Sequence, residues 1–419
     1  MADMDNTQSP NSTSPSSSAI PSVLHHPAYL HLAASRVFTA LATQAMTIAI
    51  GWIIYDLTQS AFALGFVGFC QFLPRFFLTL VVGHVADRFD RRIIVFICQV
   101  VQMLVAVWLA WALWEGWITS TIVFIAVTVL GAATAFQHPT STALLPNVVP
   151  ASILQQAVAT ATSLQQAAFI IGPAAGGLLY GVDPTAPFLI SAILLAIACI
   201  NVACIRIERR VVPREPVTLN SVFAGITFVR SRPIILGAIS LDLFAVLLGG
   251  ATALMPMFAR DILHAGPWGL GFLRAAPAIG ALVMAVLLAR RPLRKNVGRR
   301  MMIACAVFGV ATIAFSLSTS IVFSVACLAV LGAADTISVV VRSSLVQLMT
   351  PDEMRGRVSA VNSLFIGTSN QLGEFESGLL AGFLGPVLTG VIGGIGTLVV
   401  VALWFRIFPE LARVKSLEG

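Results

Sequence analysis

The sequence predicts an all-α membrane protein of twelve transmembrane helices, arranged as two pseudo-symmetric six-helix bundles. Three observations carry the prediction. Apolar residues make up 58% of the 419-residue chain and charged residues only 10%, with a mean hydropathy of +0.92. Soluble domains carry about 25% charged residues, so a chain this poor in charge could not cover a water-facing surface. Apolar runs recur with the roughly 20-residue length that crosses a bilayer. Lipid leaves the backbone no partner but itself, so such runs must be helices or a closed barrel. They lack the alternation of barrel strands. Finally, the second half of the chain repeats features of the first at an offset near 200 residues.

Taken in order, residues 1–28 are rich in Ser, Pro, Asn and Thr and read as a disordered cytoplasmic tail. They lack the basic start and short apolar core of a signal peptide. The N-terminal six-helix bundle is expected over 29–205, with spans at 30–56, 61–84, 93–114, 118–138, 155–181 and 186–205. A basic cytoplasmic linker, 206–233, follows. Within it Ser221 to Val229 is amphipathic and suited to the membrane surface. The C-terminal bundle is expected over 234–408, with spans at 234–258, 268–289, 301–319, 321–347, 358–383 and 386–408. Residues 409–419 read as a second cytoplasmic tail.

Basic residues set the orientation. Arg88, Arg91 and Arg92 follow span 2, and Arg206, Arg209, Arg210, Arg214, Arg230 and Arg232 occupy the linker. Arg290, Arg291, Arg294, Lys295, Arg299 and Arg300 follow span 8, Arg355 and Arg357 follow span 10, and Arg406, Arg413 and Lys415 close the chain. These are 20 of the 25 basic residues; Arg260 alone lies on a loop of the other side, and four lie within spans. The positive-inside rule therefore predicts an even span count with both termini cytoplasmic.

The repeat is specific in register. Gly172-Pro173-Ala174-Ala175-Gly176-Gly177-Leu178-Leu179-Tyr180-Gly181 aligns with Gly373-Glu374-Phe375-Glu376-Ser377-Gly378-Leu379-Leu380-Ala381-Gly382 at an offset of 201. Ser163-Leu164 aligns with Ser363-Leu364, Pro150 with Pro351, and Leu64-Gly65-Phe66 with Leu270-Gly271-Phe272. Two parallel halves with a site between them are a transporter pattern.

Other classes are excluded on chemistry. The net charge of +7 comes from short clusters between apolar runs, not from a nucleic-acid-binding patch. Cys70, Cys98, Cys199, Cys204, Cys305 and Cys327 lie in apolar runs, form no Cys-x-x-Cys pair, and read as small packing residues. The six histidines have no metal-ligand spacing. No Walker motif or Gly-x-Ser-x-Gly is present, so neither an enzyme nor an ATP-driven pump is expected, and no cofactor or metal.

Gly83-His84-Val85-Ala86-Asp87-Arg88-Phe89-Asp90-Arg91-Arg92 closes span 2. It resembles the signature loop of the major facilitator superfamily, Gly-x-Leu-Ala-Asp-Arg-x-Gly-Arg-Arg, departing at Val85 and Asp90. Gly172-Pro173-x-x-Gly176-Gly177 in span 5 is similar to the motif of the exporting branches. Asp242-Leu243-Phe244, Pro256-x-Phe258-Ala259-Arg260-Asp261 and Thr350-Pro351-Asp352-Glu353-Met354-Arg355-Gly356-Arg357-Val358 resemble the drug:proton antiporter branch that includes the bacterial enterobactin exporter. The resemblance covers residues 30–410. It implies the major facilitator fold, alternating access and proton-coupled efflux. The second half keeps Gly298-Arg299-Arg300 but has Lys295 where the loop's acidic residue would stand. A latch built on that carboxylate is thus expected in the first half alone. There Gly83, Asp87, Arg88, Arg91 and Arg92 form the expected gating loop; plain topology charge is the alternative.

Charges within spans cost several kcal/mol and are functional suspects. Asp242, Arg342 and Arg36 lie at similar depth, roughly 8–14 Å from the cytoplasmic edge at ~1.5 Å per residue. Spans 1, 4, 7 and 10 line the cavity in the resembling superfamily, so an Asp242–Arg342 pair with Arg36 nearby is expected. Asp335 precedes Arg342 by seven residues and shares its helix face. These groups read either as a proton relay or as a static ion pair. Desolvation disfavours a carboxylate's charged form and an arginine favours it, so such a group can bind and release a proton as access alternates. Glu374 and Glu376 stand where the first half has Pro173 and Ala175. They point about 200° apart on a helix, so one of them, Glu374 in the first instance, is a candidate protonation site; the alternative is hydrogen bonding to neighbouring helices.

Arg75 and Arg274 stand near Pro74 and Pro277 and are candidates to snorkel or to bind an anionic group. Gln44, Gln137, Asn362 and Asn370 are candidate polar cavity contacts, and Phe136 and Trp52 apolar ones. Gly172, Pro173, Gly176 and Gly177 form a helix-packing motif that loosens span 5 and permits close approach. The expected function is secondary active, proton-coupled export of a small amphipathic molecule, siderophore-like or drug-like, across the bacterial inner membrane by a monomer. The expected partners are that substrate, protons and the lipid bilayer. The alternatives are an importer or lysophospholipid transporter of the same fold, or a membrane sensor or scaffold that does not transport.

Overall fold

The computed structural model describes residues 26–205, 219–291, 293 and 295–416. Those residues form helices and no strand. The tail expected over 1–28 falls almost entirely outside them, as does the first part of the linker.

Spans 1 to 6 are Pro27–Thr58, Ala61–Arg88, Arg91–Trp114, Ser120–Val148, Leu154–Val182 and Ala186–Cys204. Spans 8 to 12 are Gly266–Arg290, Val297–Ser316, Ile321–Met349, Asp352–Leu384 and Pro386–Ile407. Span 7 starts as an α-helix, Pro233–Leu248, and then breaks. It continues as a 3₁₀ turn Ala251–Leu254, a short α-turn Met255–Met257 and a π-turn Phe258–Ile262. The single helix expected over 234–258 is therefore interrupted, at Gly249-Gly250 and ahead of Pro256, where helix propensity is lowest. Span 4 runs ten residues past its expected end because the helix carries through Pro139 and Pro146. Span 11 starts at Asp352, directly after Pro351. Pro is disfavoured inside a helix but compatible with its first turn.

Ten of these segments are long and apolar enough to cross a membrane on composition alone. Spans 5 and 11 complete the twelve but are more polar. Span 5 carries Gln155, Gln156, Thr160, Thr162, Ser163, Gln165 and Gln166 in its first half, and span 11 carries Arg355, Arg357, Asn362, Ser363, Thr368, Asn370 and Gln371. Polar side chains inside a membrane protein face the bundle interior or water rather than lipid.

Within the first bundle, span 1 packs on spans 5 and 6, span 2 on span 4, and span 3 on spans 4 and 6. In the second, span 10 packs on spans 8 and 9, and span 12 on spans 7 and 9. The bundles meet most extensively through two helix pairs, span 2 with span 11 and span 5 with span 8. Repeated glycines make both crossings. A Cβ at Gly177 would stand 2.9 Å from Gly271 Cα, and a Cβ at Gly378 would stand 2.4 Å from Gly65 Cα. The repeated residues thus pair across the pseudo-symmetry axis. Gly172 and Gly176 instead admit Gln44 and Ala45 of span 1.

The amphipathic linker segment is a helix, Leu219–Ser231. Its described part packs on the second bundle: Val229 clusters with Ile235, Ile239, Val346, Val358 and Val361, and Gly225 abuts the Arg357 carbonyl.

Candidate functional site

A cavity of about 390 Å³ lies inside the molecule, within the range of small-molecule sites. Spans 1, 2, 4 and 5 supply most of its wall and span 11 supplies Gln371. Its polar lining includes Arg36, Gln44, Arg75, Gln137, His138 and Gln165. Arg36 donates from Nη2 to Gln165 Oε1 at 3.1 Å. Gln137 Oε1 accepts from Gln102 Nε2 at 2.7 Å, which ties the wall to span 3. Gln371 Oε1 is buried with no hydrogen-bond partner in the protein. Met46, Ile50, Leu130 and Phe169 form the apolar part of the wall.

The second bundle holds a separate charged cluster. Arg342 Nη1 lies 2.9 Å from Asp242 Oδ2, and the residues are 3% and 5% exposed. Ser338 donates its hydroxyl to Asp242 Oδ1 at 3.2 Å, and Arg342 Nη1 donates to Asn362 Oδ1 at 3.4 Å. Asp335 is within electrostatic reach of both members of the pair. Arg342 Nε is buried without a partner. Arg36 does not join this cluster; it belongs to the cavity wall of the other bundle. Two charges at similar depth can still lie on helices that face different spaces.

Glu374 occupies a third position, on the seam between the bundles. Its Oε2 lies 3.0 Å from where a Gly68 Cβ would be, and Arg274 of span 8 is within its electrostatic reach. The absence of a side chain at Gly68 is what makes room for the carboxylate. Glu376, two residues on, is half-buried. Asn370 is exposed. Phe136 packs near Ile94, Cys98 and Ala133 between spans 3 and 4, and Trp52 packs near Tyr180. Neither ring is in the cavity wall.

At the end away from the termini, span 1 is joined to the break in span 7. Arg260 Nη1 meets Asp56 Oδ1 at 2.6 Å, and the Tyr55 hydroxyl donates to Asp261. The π-turn brings Arg260 and Asp261 to span 1 together, and such turns are frequent at functional sites. The four-residue latch was not among the expected site residues. Its signal was Arg260, the one loop arginine that breaks the charge pattern.

The signature loop sits at the opposite end. Gly83 lies within the span-2 helix, the Asp87 side chain is outside the described ones, and Arg88 is exposed. Arg91 donates to the Ala143 carbonyl at 3.1 Å and Arg92 to the Ile205 carbonyl at 2.7 Å, so the loop grips the ends of spans 4 and 6. Asp90, where the superfamily pattern has Gly, caps span 3 by accepting from Arg92 N at 2.9 Å and pairs with the Arg92 guanidinium at 2.7 Å. A carboxylate at a helix N-terminus satisfies a free N–H and the helix dipole together.

A family described as transmembrane secretion effector matches residues 18–417. Macrolide efflux protein A of Streptococcus pyogenes is 25% identical over 377 residues, covering 84% of this chain and 89% of that protein. The enterobactin exporter EntS of Escherichia coli O1:K1 / APEC is 24% identical over 416 residues, covering 93% and 94%. Among solved structures, a variant of the nucleoside transporter NupG superposes with a TM-score of 0.73 at 14% identity, covering 91% of this chain and all of that one, a likeness of fold.

Proposed function

The chain belongs to the transmembrane secretion effector family of the major facilitator superfamily, and from that premise we propose that it is a proton-driven exporter of a small molecule working by alternating access. The observation that carries the reading is the placement of the cavity relative to the contacts between the bundles. The glycine crossings, Tyr55–Asp261 and Asp56–Arg260 all close the end away from the termini. The cavity wall draws on Arg36, His138 and Gln165, toward the other end. With the basic loops on the terminal side, the positive-inside rule makes that side cytoplasmic. The molecule then stands ready to load from the cytoplasm, in the bacterial inner membrane, as a monomer.

Efflux is favoured by the names of the relatives, one an exporter of enterobactin and one a macrolide efflux protein. Two carboxylates, the buried Asp242 and the half-buried Glu374, are suited to proton coupling. Asp242 exchanges Arg342 for a proton within the second bundle, and Glu374 takes up its proton on the moving seam, within electrostatic reach of Arg274. An open cavity of this size favours transport over a scaffold, whose centre would be filled by side chains.

The test is flux in proteoliposomes with and without an imposed pH gradient. Export driven by the gradient, abolished in Asp242→Asn or Glu374→Gln, supports the reading. Flux indifferent to the gradient, or unchanged in both variants, refutes proton coupling.

A further inference from the structure

The two halves tie their terminal-side ends in different ways. In the first, Asp90 caps span 3 at Arg92 N, and the Arg92 guanidinium reaches the Ile205 carbonyl just past span 6. Arg299 and Arg300 stand in the second half where Arg91 and Arg92 stand in the first, yet both are exposed. The Asn296 side chain at the head of span 9 makes no capping hydrogen bond. The first N–H groups of a helix have no partner within it. That of Gly298 is met by the chain beyond span 12: it donates to the Val414 carbonyl at 3.2 Å.

The segment after span 12 is shaped for this contact. It turns through the short helix Pro409–Arg413 and comes back onto the bundle. Leu411 is fully buried, in one cluster with Leu241 of span 7, Val297, Met301 and Met302 of span 9, and Trp404 of span 12. The Phe408 ring lies against span 7, 2.9 Å from where a Gly237 Cβ would be. In the signature pattern Gly298 stands where the first half has Asp90, and a Cβ there would overlap the Leu411 carbonyl. A side chain at this position caps span 3 in one half; its absence admits the returning chain in the other. Terminal segments are ordered where such docking holds them.

We propose that residues 408–414 are a tie that does for the second bundle what Asp90 and Arg92 do for the first. It joins spans 7, 9 and 12 at the terminal side, so that the bundle turns as one body when access alternates. The tie stands on its own contacts; only its part in transport rests on the alternating-access reading.

The test is double electron–electron resonance on the full chain in nanodiscs, read without any solute and so independently of export. One label pair, at Arg300 and Arg406, reports the second bundle; both residues are exposed. The other, at Phe89 and Cys204, reports the first and is exposed likewise. All other cysteines are removed. Leu411→Asp and Gly298→Ala should each lengthen and broaden the Arg300–Arg406 distribution and leave Phe89–Cys204 as in the wild type. Arg92→Ala should do the reverse. Gly298→Ala is the milder change and keeps the test decisive where Leu411→Asp fails to fold. An Arg300–Arg406 distribution unmoved in Gly298→Ala, or both pairs moving equally in any one variant, would overturn the proposal.

Discussion

Alanine at Gly378 should displace the molecule from the conformation described above. A Cβ there would stand 2.4 Å from Gly65 Cα, 2.6 Å from Gly65 N and 2.9 Å from the Ala61 carbonyl oxygen. All three are backbone atoms, so no side chain can swing aside. Relief to ordinary contact needs spans 2 and 11 to part by about 1 Å, and overpacking of this kind costs roughly 1–3 kcal/mol. The helix-propensity gain of Gly→Ala, about 0.5–1 kcal/mol, applies in every conformation and cancels. The penalty therefore falls on the state in which this end is shut, and 1–3 kcal/mol shifts a two-state equilibrium about 5–150-fold. Spin labels at Val182 and Phe383, both exposed near this end, report the separation by double electron–electron resonance in a cysteine-free background. Gly378→Ala should move the distribution toward the longer distance. Gly181→Ala is the control, because nothing lies within 4 Å of a Cβ there. An unmoved distribution in Gly378→Ala, or an equal shift in Gly181→Ala, would refute the claim that these glycines set the closure.

The latch should matter less. Arg260→Ala removes an ion pair whose members are 34% and 55% exposed, worth about 0–1 kcal/mol, so the same labels should show a smaller shift than in Gly378→Ala. Asp242→Asn takes the ion-pair partner from buried Arg342 and leaves Asp335 as the carboxylate within its reach, a change that costs up to about 3–5 kcal/mol. Its thermal unfolding temperature in detergent should fall clearly, and the double variant with Arg342→Gln should recover much of the loss; a single variant as stable as wild type would show that the pair is not holding charge against charge. Arg92→Ala loses both the Asp90 pair and the Ile205 carbonyl. It should lower the unfolding temperature more than Arg88→Ala, whose side chain is exposed; equal effects would mean that the grip on span 6 contributes nothing.

Apolar length, the lopsided distribution of arginine and the 201-residue repeat were sufficient for a helical membrane protein of two related halves. Each is a one-dimensional consequence of what lipid can solvate, so each is written along the chain. The signature loop and the glycine motif were legible for the same local reason, and Asp242 and Arg342 stood out because a charge in an apolar run is conspicuous without knowledge of its partner. Choosing partners was a different matter. Depth placed Arg36 beside Asp242, yet packing turned it toward Gln165 in the other bundle, since rotation about a helix axis is decided by neighbours and not by position along it. Tyr55 and Asp261, 206 residues apart, and the meeting of Gly65 with Gly378 arise only once the halves dock. The meeting of Arg36, Arg75 and His138 in one cavity wall likewise emerges only from helices converging on one space, because no short stretch of chain contains more than one of these basic groups.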